Sequence, residues 1–336
     1  MPTLLSTQSH VVHGYVGNKA AAFPLQCLGW DVDCLNTVQF SNHTGYGKVV
    51  GDITPVDELL KITNHLLQNF KYNSFLTGYL PNKDSVEVIC DNILNYKKNT
   101  KSNSSTIRPL WLLDPVMGDD GHIYVDPNVI PTYQKYVLSG YVDIITPNQF
   151  ELQLLTNTEG KVLNTTDDLR SLIVTLHQKV PIIVITSTTT YNNNHKEDDK
   201  NKITCIASIR NNNGKLYKFQ VPKINSYFTG VGDLFSAILL DRMWKLKYQN
   251  ATADMLVKDF IKSINYVLNV IQKVLQTTIE NRSQYIKTLL DQQGGEGAAK
   301  IGGDAKIMAE MELKIIESKD HYDNKENLID YFVDVI

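Results

Sequence analysis

Short apolar segments alternate with longer amphipathic segments along much of the chain. Two of the apolar segments, L-W-L-L at 110–113 and I-I-V-I at 182–185, are apolar at every position, which is typical of strands covered on both faces of a parallel sheet. The alternation predicts an α/β fold with a mostly parallel central sheet flanked by helices on both faces. The predicted strands are 3–6, 32–40, 72–80, 110–116, 142–146 and 182–187. The predicted helices are 17–29, 56–70, 83–98, 127–138, 148–155 and 166–178.

The last third of the chain changes its pattern. Residues 203–211 and 215–222 alternate around Asn212-Asn213-Gly214, which predicts a β-hairpin at an edge of the sheet. Residues 230–248 read as a helix that is apolar nearly all round, and 254–290 as a long amphipathic helical region. We therefore expect C-terminal helices packed on the sheet.

Three stretches interrupt the alternation, at 97–108, 190–202 and 292–305. All three are polar and low in complexity, so they are predicted to be surface loops or disordered insertions. The alternation resumes after the first stretch and the sheet continues after the second. Residues 1–336 are therefore predicted to form a single domain.

Composition excludes two classes of partner. The chain has 33 Lys and Arg against 36 Asp and Glu, a formal net charge of −3, so no broad basic field faces nucleic acid or an anionic membrane.

The cysteines, at 27, 34, 90 and 205, include no C-x-x-C pair and fit reduced thiols. With no targeting pattern at the N-terminus, a cytoplasmic location is expected, with the nucleus as an alternative.

Polar residues follow several predicted strands where each one ends. They are S-T-Q-S-H at 6–10, D-P-V-M-G-D at 114–119, T-P-N-Q-F-E at 146–151 and T-S-T-T at 186–189. Any one of these segments is also ordinary turn and capping chemistry. Because open parallel sheets bind ligands at the carboxyl ends of their strands, the four together predict a site at one edge of the sheet.

The segment F-T-G-V-G-D-L-F-S-A at 228–237 is more specific. Gly230 and Gly232 allow consecutive backbone N–H groups to turn inward at the start of a helix, which makes a site for an anion such as phosphate. Asp233 beside that site fits a base that removes the proton from an attacking hydroxyl. The alternative is that Asp233 only caps the helix. The chain contains no G-x-x-x-x-G-K-[ST], so a P-loop enzyme is excluded.

These segments and several others resemble the pyridoxal kinases of the ribokinase-like family. The matching segments are 8–21, 23–26, V-Q-F-S-N-H-T-G-Y at 38–46, L-T-G-Y at 76–79, 113–119, 144–151, 184–187, the glycine turn with Asp233, and M-E-L-K-I-I-E-S-K-D at 311–320. The segments Q-S-H-V and F-S-N-H-T-G-Y are particular to pyridoxal kinases, whereas the glycine turn belongs to the wider family. The resemblance covers the chain from its start to about residue 240 and again near its end.

The resemblance implies a ribokinase-like fold and ATP-dependent phosphorylation of the 5-hydroxymethyl group of pyridoxal, pyridoxine and pyridoxamine, with Asp233 as the base. For the vitamin it implies Ser9, Thr44, Val16, Val38, Phe40 and Tyr79. For ATP and Mg²⁺ it implies Asp114, Asn148, Glu151, Thr186, Ser187, Ile224, Asn225, Ser226 and the anion hole Gly230, Val231 and Gly232. For metal ions it implies Glu151 with Mg²⁺, or another divalent cation, and Asp119, Thr146 and Thr186 with a monovalent cation, K⁺ or Na⁺.

The sequence departs from the family at Val231, where G-V-G-D replaces the usual G-T-G-D and removes a hydroxyl that could reach a phosphate. Two alternatives stay open: a kinase of the same fold for a hydroxymethylpyrimidine, because the glycine turn is shared across those enzymes, or a non-catalytic protein that binds vitamin B6 and has lost turnover through Val231. Residues 31–46 are interpreted as a strand and loop projecting from the main sheet, which together with the resemblance predicts a homodimer. His10, His13 and His43 are interpreted as loop histidines rather than metal ligands.

Overall fold

The computed structural model describes residues 1–101, 108–119, 121–163, 165–188, 201–247, 253–292 and 305–336. The strands are β1 (Thr3–Val11), β2 (Asp31–Phe40), β3 (Gly51–Ile53), β4 (Ser74–Thr77), β5 (Leu110–Leu113), β6 (Gly118–Asp119), β7 (His122–Ile123), β8 (Ile144–Ile145), β9 (Ile182–Thr188), β10 (Lys202–Ile209), β11 (Tyr217–Pro222) and β12 (Phe332–Val335). The helices are α1 (Asn18–Cys27), α2 (Val56–Asn69), α3 (Lys83–Lys101), α4 (Val129–Val137), α5 (Gln149–Leu155), α6 (Thr166–His177), α7 (Val231–Lys247), α8 (Ala253–Glu280), α9 (Gln284–Gln292) and α10 (Ala305–Met311).

Ten strands form one central sheet in the order β12-β11-β10-β9-β8-β5-β4-β1-β2-β3. The six strands from β9 to β2 in this order pair in parallel, and the outer strands pair antiparallel. The predicted α/β fold with a mostly parallel sheet is therefore confirmed. The predicted hairpin is also present as β10 and β11, but β12 pairs with β11 and takes the edge of the sheet.

Helices cover both faces of the sheet, as the continuously apolar strands require. Along β1, Leu4 packs into the core beneath α1, α7 and α8, while its neighbour Leu5 packs into the core beneath the remaining helices from α2 to α6. Consecutive side chains of a strand point to opposite faces, so both must be apolar when both faces are covered. The same division separates Ile144 from Ile145.

Several elements differ from the sequence expectations. The first strand extends to Val11, so Ser9 lies inside β1 rather than after it, at a break in the register between β1 and β2. β2 pairs with β1 along its length and belongs to the main sheet, instead of projecting from it. The region 254–290 contains two helices, because α8 ends at Glu280 and α9 begins at Gln284.

The polar stretch at 97–108 is partly helical rather than a loop. It begins inside α3, and Lys97 is fully buried in an ion pair with Asp143. A buried lysine is tolerated here because a carboxylate meets its charge. Residues 102–107, most of 190–202 and most of 292–305 lie outside the described residues. Among the helices that the structure describes, none is long and apolar enough to cross a membrane.

Candidate active site

A cavity of about 940 Å³ opens at the carboxyl ends of the parallel strands. Tyr79 follows β4, Asp114 follows β5, Thr146 follows β8, and Thr186 lies near the end of β9. The edge of the sheet chosen from the sequence is therefore the edge that carries the cavity. The cavity brings together these site residues predicted from the sequence: Ser9, Val16, Val38, Phe40, Thr44, Tyr79, Asp114, Asp119, Thr146, Asn148, Glu151, Thr186, Ser187, Gly230, Val231, Gly232 and Asp233.

The glycine turn leads into α7 at the centre of this cavity. Gly230 has a φ of +79°, and a Cβ there would lie 2.0 Å from the backbone oxygen of Tyr15, so only glycine fits. Val231 is the first residue of α7, which places the N-terminal N–H groups of this 17-residue helix at the cavity. The turn therefore has the backbone geometry and the dipole that an anion site needs.

Asp233 lies in the first turn of α7, half-buried in the cavity wall. Its Oδ2 accepts a hydrogen bond of 2.8 Å from the backbone N–H of Gly17, the residue that precedes α1. Burial raises the pKa of Asp233, and the Gly17 hydrogen bond opposes part of that rise. The carboxylate is thus fixed in orientation and is a stronger proton acceptor than an exposed aspartate.

Asp114 and Thr146 meet across the cavity floor through Ser236 of α7. The Ser236 hydroxyl lies 2.9 Å from Thr146 Oγ1 and donates to Asp114 Oδ2 at 3.1 Å. Burial and, next, the charge of Asp233 raise the pKa of Asp114. Asp114 is therefore a buried carboxylate beside a second carboxylate, which favours a bound cation or a shared proton.

Asn148 and Glu151 form a capping box at the start of α5. Asn148 Oδ1 accepts from the Glu151 N–H at 2.8 Å, and Glu151 Oε2 accepts from the Asn148 N–H at 2.9 Å. Glu151 Oε1 also accepts from the Met117 N–H at 2.9 Å. Burial and the charge of Asp114 nevertheless raise the pKa of Glu151. These two residues thus hold the loop after β5 and, at the same time, face the cavity.

The end of the cavity beside β1 and β2 carries the residues predicted to contact the vitamin. Ser9 lies at the register break in β1, where the β1–β2 pairing leaves it without a paired residue. Val38 is fully buried in β2, whereas Val16, Phe40 and Tyr79 are half-buried and line the cavity. Flat apolar walls with a few polar groups suit an aromatic ring with hydroxyl substituents.

Three predicted nucleotide residues lie outside the cavity lining. Ile224 packs against the core, and Ser226 Oγ accepts a hydrogen bond of 2.6 Å from Arg282; Asn225 lies between them. His10 and His13 are also absent from the lining, while His43 belongs to it and is hydrogen-bonded to Thr229. The assignment of residues 224–226 to the nucleotide stays a prediction.

An apolar wall at the other end of the cavity was not predicted as part of the site. This wall is built from β10, β11, the loop before the glycine turn and α8. Its residues are Ile203 of β10, Val221 of β11, Phe228 of the loop, and Leu268, Ile271 and Leu275 of α8. Gln272 stands among them with its amide donating to the Pro222 backbone oxygen at 3.3 Å. In the sequence these residues are indistinguishable from core positions, so the only signal was the polar Gln272 on an apolar helix face.

The donor set at the cavity floor consists of oxygens. Among the residues that the structure describes, no group of three or more His, Cys, Asp and Glu side chains is arranged to hold a metal ion by itself. Burial and, next, the charge of a neighbouring carboxylate raise the pKa values of Asp114 and Glu151, so a cation beside these oxygen donors would stabilise their ionised forms. Such a site fits a hard cation that takes most of its ligands from phosphate and water.

Comparison with known proteins gives a consistent result. A family model described as phosphomethylpyrimidine kinase matches residues 26–277. The Saccharomyces cerevisiae protein BUD16 is 50% identical over 329 residues, which span 96% of each chain. Human pyridoxal kinase is 32% identical over 338 residues, spanning 97% of this chain and 96% of the human one. Pyridoxal kinase from Leishmania donovani, solved with ADP and pyridoxamine, has a TM-score of 0.75 at 28% identity and covers 98% of each chain.

The sheet, the glycine turn at the start of α7 and the cavity at the strand ends define a small-molecule kinase with the ribokinase-like fold. Similarity extends over nearly the whole chain and includes both ends of the cavity. The chain belongs to the pyridoxal kinase family.

Proposed function

We propose that this protein is a pyridoxal kinase that transfers the γ-phosphoryl group of ATP to the 5-hydroxymethyl oxygen of pyridoxal, pyridoxine and pyridoxamine. The observation that carries the proposal is the position of Asp233. Asp233 lies in the first turn of α7, directly after the glycine turn, and lines the cavity together with the apolar ring pocket and the floor carboxylates. Its carboxylate is fixed by a hydrogen bond from the Gly17 N–H, which precedes α1. Relatives with this activity cover nearly the whole chain.

The transfer forms a bond between the 5′-oxygen and the γ-phosphorus and breaks the bond between that phosphorus and the β,γ-bridging oxygen. Asp233 accepts the hydroxyl proton as the new bond forms, and ADP leaves with the bridging oxygen. The N–H groups at the glycine turn donate to the phosphoryl oxygens, whose charge is spread in the transition state. ADP and the vitamin 5′-phosphate are the products.

We place the vitamin ring between Val16, Val38, Phe40 and Tyr79, with Ser9 and Thr44 as hydrogen-bonding partners of its polar substituents. The adenine is assigned to the apolar wall formed by β10, β11 and α8, where Gln272 offers an amide to a base edge. The apolar walls exclude water, which strengthens every hydrogen bond made to the transferring group.

We further propose that Asp114, Asn148 and Glu151 bind Mg²⁺ through its waters, and that Asp119, Thr146 and Thr186 serve a monovalent cation. Bound Mg²⁺ would neutralise the β- and γ-phosphate oxygens. The chemistry of these residues supports the assignment, because Asp114 and Glu151 are buried carboxylates with raised pKa values facing the cavity. Removing divalent ions with EDTA should abolish turnover, and adding Mg²⁺ back should restore it.

The second candidate is a hydroxymethylpyrimidine kinase, favoured by the match to the phosphomethylpyrimidine kinase model. The two substrates share a hydroxymethyl group on an aromatic ring, so the glycine turn does not distinguish them. An assay of ADP release decides between them when pyridoxal, pyridoxine, pyridoxamine and hydroxymethylpyrimidine are compared in parallel. We expect turnover with the B6 vitamers and a phosphorylated product by mass spectrometry. Turnover with the pyrimidine alone would contradict the proposal, and no turnover with any compound would favour a non-catalytic binding protein.

The assembly and location of the protein also remain proposals. We propose a homodimer in the cytoplasm, formed on the side of the sheet where β3 exposes Ile53 and the preceding loop exposes Val50. Exposed apolar side chains at a strand edge favour association with a second surface. Sedimentation at micromolar concentration should give twice the chain mass of 38.0 kDa, and a monomer would contradict it.

A further inference from the structure

Glu312 is not among the residues that line the cavity and lies directly after α10 in the C-terminal segment. Only 4% of its surface is exposed. Its carboxylate reaches two segments near the start of the chain: the loop between β1 and α1, which contains Gly14 and Tyr15, and the short helical turn Thr44–Tyr46.

Three donors converge on this carboxylate. Oε2 accepts the backbone N–H of Tyr15 at 2.8 Å, and Oε1 accepts the Tyr46 hydroxyl at 2.9 Å. Oε1 also lies 3.1 Å from Nε2 of His43, which is itself buried. These contacts outweigh the effect of burial and hold the pKa of Glu312 below its ordinary value. The group is therefore an anion that accepts on both oxygens.

The contacts of His43 determine which of its nitrogens carries the proton. Nδ1 accepts the backbone N–H of Gly45 at 3.2 Å, so Nδ1 has no hydrogen of its own. The proton of the neutral ring then lies on Nε2, directed at Glu312 and at the Thr229 hydroxyl 3.0 Å away. Glu312 thereby selects one tautomer and one orientation of the imidazole.

This cluster joins the two halves of the proposed reaction. His43 precedes Thr44, which faces the vitamin end of the cavity, and Thr229 precedes Gly230 of the glycine turn. Tyr15, held by Glu312 through its N–H, presents its backbone oxygen to Gly230 so closely that no side chain fits between them. The backbone at Gly14 packs just as closely on the carboxylate, since a Cβ there would lie 2.2 Å from Oε1.

We propose that Glu312 is a positioning residue that sets the vitamin loop, residues 43–46, against the glycine turn. The hydrogen-bonded chain Glu312–His43–Thr229 fixes the distance between the vitamin hydroxyl and the phosphoryl site. The inference rests on the proposed function, because it assigns these two segments to the vitamin and to the phosphoryl group. It gives the C-terminal segment a part in the active site although it lies outside the sheet.

The variant Glu312→Gln tests the inference because it keeps the shape and removes one acceptor. The Gln amide has a single oxygen, so its NH₂ group must face either the Tyr15 N–H or the pair formed by Tyr46 and His43. In the second case an NH₂ group meets the Nε2 proton, and His43 must change tautomer and lose the Gly45 hydrogen bond. Glu317→Gln is the matched control, since Glu317 is an exposed carboxylate of the same segment.

The experiment compares steady-state kinetics for both substrates in the parent protein and the two variants. We expect Glu312→Gln to lower kcat/KM for pyridoxal by about tenfold to hundredfold, because small displacements of reacting groups cost that much. The KM for ATP should change little, since the adenine wall belongs to other elements. Glu317→Gln should match the parent. If Glu312→Gln does not fold, Tyr46→Phe removes only one donor and should show a smaller loss in the same direction.

A second measurement reads the cluster without any turnover. Nitrogen-15 spectra of histidine-labelled protein, with the His43 signal assigned from a His43→Gln sample, should show the Nε2–H tautomer in the parent. In Glu312→Gln the Nε2–H signal should be lost where the amide NH₂ faces His43, and displaced where the neutral amide oxygen replaces the carboxylate. A parent protein that fails to phosphorylate pyridoxal overturns the proposed function, and the His43 spectra then decide the positioning role. If the parent is active, two results would overturn the inference about Glu312 and leave the proposed function standing. The first is a Glu312→Gln variant that melts at a lower temperature with unchanged kinetics, and the second is a His43 that carries its proton on Nδ1.

Discussion

The carboxylates that line the cavity and the buried carboxylate of Glu312, in the C-terminal segment, behave in opposite ways. In the cavity, burial raises the pKa values of Asp114 and Glu151 at the floor and of Asp233 in the wall, and the Asp114 charge raises that of Glu151 further. In the C-terminal segment, burial acts on Glu312 in the same direction, yet hydrogen bonds from His43, Tyr15 and Tyr46 hold its pKa below the ordinary value. The difference therefore comes from the neighbours of each carboxylate.

The comparison separates groups that take part in chemistry from a group that holds a position. Carboxylates that repel one another in a buried site bind a proton or a cation readily, which suits a base and a Mg²⁺-phosphate site. Glu151 also accepts backbone N–H donors on both oxygens, but burial and the charge of Asp114 outweigh them, whereas the donors of Glu312 outweigh its burial and favour its ionised form. The stability of the ionised Glu312 depends on well-aligned hydrogen bonds from its donors, so the carboxylate holds those donors in position.

The largest effect on turnover is expected from a substitution at Asp233. Asp233→Asn keeps the shape of the side chain and its acceptor for the Gly17 N–H but removes the proton acceptor. We expect kcat to fall by roughly 10²–10⁴-fold with vitamin binding nearly unchanged, measured by single-turnover kinetics and by vitamin titration. A variant that phosphorylates pyridoxal near the parent rate would return Asp233 to the role of a helix cap.

The second largest effect on turnover is expected at the glycine turn, where Gly230 packs against the Tyr15 backbone that Glu312 holds. Gly230→Ala forces a Cβ to within 2.0 Å of the Tyr15 backbone oxygen and strains a φ of +79°, whereas Gly160→Ala has a φ of +77° with open space around it. Both variants should lose about 1–2 kcal/mol of stability from the left-handed backbone. Only Gly230→Ala should also lower kcat, by about tenfold to hundredfold. Equal kinetics in both variants would show that the close approach to Tyr15 has no catalytic role.

A smaller effect is expected on the pH dependence of stability. Burial and the charge of Asp233 raise the pKa of Asp114 to about 7, so the folded protein binds this proton more tightly than the unfolded chain. Stability contributed by that proton is present at low pH and is lost as the pH rises from about 4, the unfolded value, toward neutrality. Asp114→Asn removes the titration.

In the absence of divalent cations, the melting temperature of Asp114→Asn should therefore fall less than that of the parent between about pH 4 and about pH 8, an interval that spans this range. Added Mg²⁺ should raise the melting temperature of the parent more than that of the variant. Identical pH profiles would mean that Asp114 is ionised throughout and would place it with Glu312 in the comparison.

The smallest effect is expected at Val231. Its side chain packs partly against the core, and the turn acts through its backbone. Val231→Thr restores a hydroxyl that adds at most one hydrogen bond to a charged phosphate, with an upper bound of about 1.5–3 kcal/mol when it is well aligned, and its gain should appear in kcat or in the KM for ATP. A large change in vitamin affinity instead would show that residue 231 contacts the ring and not the phosphate.

Much of the site could be predicted because its signals are local. The residues at the strand ends, such as Asp114, Thr146 and Thr186, follow apolar runs directly, and the glycine turn precedes an apolar helix that is visible in the sequence. The apolar wall could not be predicted, because Leu268 and Ile271 have the periodicity of any core-facing helix. Lys97 was placed in a surface loop because its partner, Asp143, is 46 residues away.

Local sequence patterns were enough to predict the α/β class, the parallel centre of the sheet, the edge that carries the site and the position of Asp233 at a helix start. Each of these depends on periodicity and turn chemistry within a few neighbouring residues. The folded chain was needed to show that β12 forms an edge of the sheet and that Glu312 reaches Tyr15, 297 residues earlier. Contacts at such separation form when the whole core packs, and no local pattern specifies which distant donor a buried carboxylate will meet.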